Sequence, residues 1–178
     1  MKNTILFVIL LGLPLAFIAC NKDDEDIKLD FELTFPENWN SRVFAETGYV
    51  MDASRKAVNE NDSFPETVVI FRTGVQSGSL DIYYAALKLQ IQKTPGYDRM
   101  FYETDTTINT INFIKMVSQE HLEYIVNSND TITVQEITER YFTINQLYGI
   151  NLTFIALNRD YAEAKPVFDE IIGTFRFK

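Results

Sequence analysis

The chain has 178 residues, 46% of them hydrophobic and 13% aromatic, enough to bury the core of one domain. It carries 25 acidic against 16 basic residues, a formal net charge of −9 with its lone histidine neutral. So acidic a chain, with no basic patch, is repelled by phosphates, which argues against nucleic acid as a partner and against electrostatic adhesion to anionic lipid heads.

The first element is a leader. Lys2 precedes an apolar, uncharged run over residues 5–19, broken only by Gly12 and Pro14. As a helix this run would reach roughly 22 Å, short of the ~30 Å hydrocarbon core. A positive start, an apolar stretch and a closing small residue have the order of a signal peptide. The segment Leu15-Ala16-Phe17-Ile18-Ala19-Cys20 resembles a bacterial lipobox. The resemblance implies cleavage between Ala19 and Cys20, loss of residues 1–19, and a thioether from the Cys20 sulfur to a diacylglycerol. Each buried methylene contributes ~0.8 kcal/mol, so a multi-chain lipid makes a lasting membrane attachment. The alternative is a plain secretory signal cleaved nearby, with Cys20 incidental.

Residues 20–26 then combine the lipidated cysteine with an acidic linker. The run Asn21-Lys22-Asp23-Asp24-Glu25-Asp26 is charged, extends and does not pack. It also resembles the surface-export signal of lipoproteins from the Bacteroidetes, which implies the outer membrane, facing outward; otherwise the periplasmic face is implied. Cys20 is the only cysteine, so none remains for a disulfide, a thiolate metal site or a nucleophile.

Residues 27–178 read as a single domain without internal repeats. Leu29, Phe31, Leu33 and Phe35 alternate with polar residues as in a half-buried strand, which Pro36-Glu37-Asn38 ends before Trp39. Residues 42–51 read as a second strand with a bulge at Gly48, and residues 52–65 as an exposed loop. The β-branched run at 67–72 suits a strand covered on both faces. Leu80, Tyr84, Leu87 and Ile91 then share one helical face, and Pro95-Gly96 stops that helix.

Residues 99–106, 111–118, 134–144 and 150–157 read as strands, with turns at 127–130 and at Tyr148-Gly149. Short connections between neighbours imply antiparallel pairing. Tyr161, Ala164, Val167, Phe168, Ile171, Ile172 and Phe175 make the apolar stripe of a last helix ended by Gly173. Pro166 has no N–H, so it is placed at the first position of the main helix, after a short opening turn.

Both ends of the domain resemble one family. Phe31-Glu32-Leu33-Thr34-Phe35-Pro36-Glu37-Asn38-Trp39 is similar to the opening strand and P-x-x-W turn of PsbP-like domains. The stretch Lys165-Pro166-Val167-Phe168-Asp169-Glu170-Ile171-Ile172-Gly173-Thr174-Phe175-Arg176-Phe177 is similar to their closing helix and tail. The order between them, three strands, a helix, antiparallel strands and a terminal helix, also agrees. The resemblance covers residues 27–178. It implies an α+β fold, a three-layer α/β/α sandwich around an antiparallel sheet. Members include the extrinsic PsbP subunit of photosystem II, a yeast Ran-binding protein and bacterial adaptors for secreted toxins, and mostly act by binding other proteins. No functional residue carries over, because the matching motifs are packing motifs.

Chemistry is sparse. His121 is the lone histidine, and no Gly-x-Ser-x-Gly elbow exists on which to build a Ser-His-Asp triad. Zinc would need further His or Cys, so His121 reads as a surface residue at a strand end. Phosphate-loop and dinucleotide glycine motifs are absent, and no cofactor or metal is expected. Glu136 with Glu139, or Glu103 with Asp105, are the candidate carboxylate pairs, and Glu103 and Asp105 share a strand face. The oxygen-rich segments 59–62 and 127–130 lack the Asp-x-Asp-x-Asp-Gly pattern of a calcium loop.

Trp39, Tyr83, Tyr84, Tyr141 and Tyr148 are rings that can stack on sugars or line an interface. Trp39 reads as a core wall behind Pro36. With Tyr84 on the buried stripe, Tyr83 is placed toward the exposed edge. The expected function is a non-enzymatic, lipid-tethered domain that binds an envelope protein, recognisable by an exposed apolar patch. The alternative is a glycan or small-ligand binding lipoprotein, which needs a concave aromatic pocket. A two-acid hydrolase, the third reading, needs carboxylates within roughly 5–10 Å in a cleft.

Overall fold

A computed structural model describes residues 29–44, 48–57, 64–75, 78–127, 130–146 and 148–178. The leader, Cys20, the acidic linker and the oxygen-rich segment 59–62 lie outside the described residues, as do residues 128–129. The elements in chain order are β1 (Phe31–Glu32), β2 (Trp39–Val43), β3 (Gly48–Arg55), β4 (Thr67–Gly74), α1 (Leu80–Ile91), β5 (Tyr97–Ile108), β6 (Ile111–Asn127), β7 (Asp130–Asn145), β8 (Tyr148–Leu157), α2 (Tyr161–Gly173) and β9 (Arg176–Phe177).

Strands β2 to β8 form one seven-stranded sheet in the order β2-β3-β4-β8-β7-β6-β5, antiparallel throughout. The path is two meanders. β2, β3 and β4 fill one half, α1 carries the chain to the far edge, and β5 to β8 walk back until β8 meets β4. There Val68 faces Phe154 and Ile70 faces Leu152. The β5–β6 turn holds Asn109 and Thr110 at φ 50° and 67°, the left-handed pair that suits a tight hairpin. The Asn109 side chain donates to the carbonyls of Gly173 at 2.8 Å and Phe175 at 3.0 Å, tying this turn to the end of α2.

The larger core joins Phe31, Phe113, Tyr141, Leu152 and Phe154 to Ala164, Phe168, Ile171 and Ile172 of α2. Tyr83 and Tyr84 of α1 pack in a second cluster with Ile114, Met116 and Phe142. The two clusters thus take alternate residues of β6 and β7, as the period of two requires.

Several expectations from the sequence need correction. Only Phe31–Glu32 of the alternating 29–35 stretch is strand, and it pairs with β9 outside the main sheet, Phe31 facing Phe177. Its alternation buries Phe31 beside Phe175, with ring centres 5.6 Å apart. Residues 42–51 are not one strand: β2 ends at Val43, β3 begins at Gly48, and the two pair antiparallel with Val43 facing Met51. Gly48 opens β3 at φ 100°, and the bulge follows between Tyr49 and Met51. The supposed loop therefore begins later, since Ala53 is a core residue of β3.

Tyr148 and Gly149 are not a turn but the start of β8; the left-handed residue there is Gln146, at φ 53°. α2 runs unbroken from Tyr161 through Pro166. A proline this near a helix start removes one hydrogen bond, and the packed stripe on both sides of it holds the helix together.

Strands β6 and β7 are much longer than the sequence pattern suggests. β5 pairs only as far as Tyr97 with Glu120, and β8 only as far as Leu157 with Glu136. Past these points β6 and β7 pair with each other, with Leu122 facing Val134 and Tyr124 facing Ile132. They leave the sheet as a projecting hairpin.

Candidate functional site

Glu139 sits in the middle of β7 with no exposure to solvent. Its Oε1 accepts from the Tyr141 hydroxyl at 2.5 Å and pairs with Lys115 Nζ at 2.7 Å, while Oε2 accepts from the Tyr161 hydroxyl at 2.5 Å. Lys165 stands 3.9 Å from the same Oε1 and pairs with Asp169 one turn further along α2. A carboxylate taken out of water requires this kind of compensation.

Burial, and then the charge of Glu139, push the Tyr141 phenol well above its usual range. Burial and the hydrogen bond to Glu139 do the same to Tyr161. Both phenols therefore stay protonated and donate. Burial alone would lower the Lys165 ammonium, but Asp169 and the Glu139 charge outweigh it and raise it. Both Glu139 oxygens are engaged, and its tyrosine partners are held as donors. The arrangement fixes charge in place.

A cavity of about 410 Å³ opens beside this cluster. Lys115 and Tyr141 lie at its floor, Asp169 and Ile172 of α2 on one wall, Tyr102 and Thr104 of edge strand β5 on the other. The Lys115 ammonium lies 5.1 Å from the Tyr141 ring centre and 5.8 Å from that of Tyr102. Tyr102 is 46% exposed and presents its ring at the rim.

A different surface lies on the α1 side. Tyr83 and Tyr84 are buried, with Tyr84 donating to Glu103, which also holds Lys88 at 2.5 Å. Burial and then that carboxylate raise the Tyr84 phenol, while Lys88 and Tyr84 hold Glu103 below the usual carboxylate range. On the outer face Ile82 is 60% and Leu89 59% exposed, with exposed Ala85 and Ala86 between them. These four residues sit at i, i+3, i+4 and i+7, one helical stripe.

The projecting hairpin carries a second apolar group on the same side of the sheet. By strand alternation Leu122, Val134 and Ile132 share the sheet side of Ile114, Met116 and Phe142, the residues under α1. Leu122 and Ile132 are exposed. α1 ends just before Tyr97, which pairs with Glu120 where the hairpin leaves the sheet. The base is fixed by Arg140, whose guanidinium clamps Glu120 at 2.6 and 3.1 Å and donates to Ser118 at 2.9 Å.

The residues singled out from the sequence scatter over this frame. Glu136 and Glu139 fall on opposite faces of β7, because they are three positions apart, an odd step. Glu103 is spent on Tyr84 and Lys88. His121 is a partly exposed strand residue whose Nδ1 lies 2.6 Å from Asp98 Oδ1. Among the described residues no three His, Cys, Asp or Glu side chains gather as a metal site.

Trp39 is buried behind the Pro36 turn, its backbone N–H donating to the Pro36 carbonyl at 2.9 Å and its ring stacked on Phe35. Tyr148 is exposed beneath Arg72. Tyr83 is not exposed, contrary to the helical reading, because Gly149 of β8 leaves space for its ring. Tyr102 and Lys115 have no place among the residues that the sequence singles out, and Tyr161 and Lys165 stand there only as parts of the last helix. The signal was present for one of them, since Lys115 interrupts the apolar run 113–117 at a position whose neighbours are all core.

No protein-family description and no curated protein matches the sequence. Several solved structures match in shape. One is LpqN of Mycobacterium tuberculosis, involved in cell envelope biogenesis, with TM-score 0.54, 13% identity, and coverage of 83% of each chain. Another is cyanobacterial PsbP from Synechocystis, with TM-score 0.52, 14% identity, and coverage of 84% of this chain and 87% of that one. A third is PA94 of Pseudomonas aeruginosa, a protein of unknown function described as a putative regulator, with TM-score 0.51, 15% identity, and coverage of 84% and 85%. At these identities the likeness speaks for the fold alone, and that fold, an antiparallel sheet carrying two helices, is PsbP-like.

Proposed function

We propose that this chain is a non-enzymatic lipoprotein, tethered to the outer membrane through Cys20 and facing outward, that binds a protein of the cell envelope. Its helices then form the outer layers of a three-layer α/β/α sandwich. The observation that carries the reading is the outer face of α1, where Ile82 and Leu89 are each more than half exposed on an acidic molecule. Apolar stripes of this kind mark contact surfaces, and the exposed Leu122 and Ile132 lie on the same side of the sheet. The envelope role of LpqN, a protein of similar fold, agrees with this reading. Among the described residues no helix is long and apolar enough to cross a membrane, so the reading places attachment in the lipid.

Tethering raises the effective concentration of the domain near membrane partners, so modest affinity suffices. Crosslinking of the intact protein in its native membrane, followed by mass spectrometry, tests the reading. One envelope protein should be captured in near-stoichiometric amount, and lost when Ile82 and Leu89 are both changed to Asp. Capture that survives this double change, or no enriched protein, would refute it. Cys20→Ser should separately abolish acyl labelling and release the chain from membranes; a variant that stays acylated would remove the anchor from the proposal.

A further inference from the structure

The groove between α2 and β5 is a second site, and we propose that it binds a neutral pyranose ring, as a free sugar or the end of a glycan. The argument starts from what the groove is lined with. Tyr102, 46% exposed at the rim, offers flat apolar surface, while Tyr141 beneath it is buried and backs the Lys115 ammonium. A sugar ring has one face of C–H groups that can lie on such a ring and an edge of hydroxyls that needs donors and acceptors.

Both kinds of polar group converge there. Lys115 is nearly buried, its side chain 11% exposed, and one of its three N–H donors reaches Glu139. The ammonium lines the groove and has donors left for a ligand hydroxyl. Asp169, 54% exposed on the opposite wall, is an acceptor, and Thr104 supplies a hydroxyl.

Charge selects the ligand. Glu139 and Asp169 are balanced by Lys115 and Lys165 in the same cluster. Asp105 also borders the groove, but by strand alternation its side chain shares the opposite face of β5 with Glu103. The groove face therefore has no net charge with which to attract an anion or a cation, and a charged ligand would lose hydration without gaining a counter-ion. The volume of about 410 Å³ lies within the ~300–1,000 Å³ of small-ligand sites. The buried cluster thus gains a purpose, since Glu139 and the two phenols fix the Lys115 ammonium over the rings before any ligand arrives.

This inference does not depend on protein docking at α1. The test is saturation-transfer NMR on the mature chain, with the methyl glycosides of glucose, galactose, mannose and N-acetylglucosamine as probes. Glucuronate and glucosamine serve as charged counterparts. At least one neutral glycoside should bind, and the charged sugars should bind more weakly. Tyr102→Ala should weaken binding about tenfold, while Tyr102→Phe, which keeps the ring, should retain it. Tyr148→Ala removes an exposed ring outside the groove and should change nothing, as should the Ile82 and Leu89 changes. Failure of all four neutral probes, equal binding of charged sugars, or indifference to Tyr102→Ala would each overturn the proposal. Loss of protein crosslinking with sugar binding intact would bear on α1 alone.

Discussion

Helices α1 and α2 have 12 and 13 residues, and each buries one face. Their outer faces differ. Outside α2 are Glu163, Asp169 and Glu170, charged residues that water accepts. Outside α1 are Ile82, Ala85, Ala86 and Leu89. Their inner faces differ in the reverse sense, since α2 packs Phe168, Ile171 and Ile172 inward while α1 packs two tyrosines. On α2 the large apolar side chains are turned inward and the charges outward. On α1 Leu80, Leu87 and Ile91 pack partly buried, but Ile82 and Leu89 face outward, where the fold does not use them. What the fold leaves unexplained points to contact with something else.

The largest expected effect lies on the α2 side. Glu139→Ala leaves Lys115 beside no carboxylate and strips two phenols of their acceptor. Breaking a buried ion pair by removing one partner costs about 3–5 kcal/mol. Denaturant unfolding should show a loss of that size. The exposed pair Arg42–Asp52 is the control, because changing Arg42, whose side chain is 72% exposed, should cost less than about 1 kcal/mol. Equal effects would mean that the buried cluster does not hold the α2 side together.

A smaller, more local effect is expected on the α1 side. A Cβ on Gly149 would lie 2.3 Å from the Tyr83 ring. Gly149→Ala must push that ring, and α1 with it, at about 1–3 kcal/mol. Amide exchange should quicken in α1 and not in α2. Changing Tyr83 to Ala in the same molecule should relieve the clash, so that the double change costs less than the sum of the single ones. Additive costs would show that Tyr83 does not rest on Gly149.

Alkali should test both sides together. Tyr84, Tyr141 and Tyr161 have phenols raised in the folded state, chiefly by burial. Each therefore contributes stability that is complete below the ordinary phenol value of about 10 and is lost as pH rises above it. Tyrosinate absorbance should show a fraction of the tyrosines titrating only when the chain unfolds. Glu139→Gln should bring Tyr141 and Tyr161 closer to normal and leave Tyr84, which answers to Glu103. A uniform, reversible titration of all tyrosines in the folded chain would contradict the buried cluster.

The same contrast explains what could be read in the sequence. α2 was legible because a single apolar stripe runs through it, and the β5 to β8 meander because its strands are β-branched and closely linked. On α1 the stripe of Leu80, Tyr84, Leu87 and Ile91 matches the packing, with the first and last two partly buried beside Tyr84. The second apolar set is hidden inside the same helix, and Tyr83 lies buried where the helical period alone places it toward solvent. Its burial depends on a glycine far along the chain, which no local period reveals. The Glu139 cluster is likewise assembled from β6, β7 and α2. Neither a carboxylate spacing nor a motif could announce it. The one visible clue was Lys115, a charge inside a core strand.

The smallest expected effect on stability is the sharpest test of the comparison. Ile82→Ser and Leu89→Ser remove side chains that the domain exposes, so each should change unfolding free energy by no more than about 0.5 kcal/mol. A core change such as Phe168→Ala should cost about 3–5 kcal/mol. If Leu89 supports the fold, its loss will lower the unfolding midpoint measurably. If its role is contact, stability will hold while crosslinking to the envelope partner falls. The two measurements on one variant separate the readings, because no packing role is compatible with an unchanged midpoint and a lost partner.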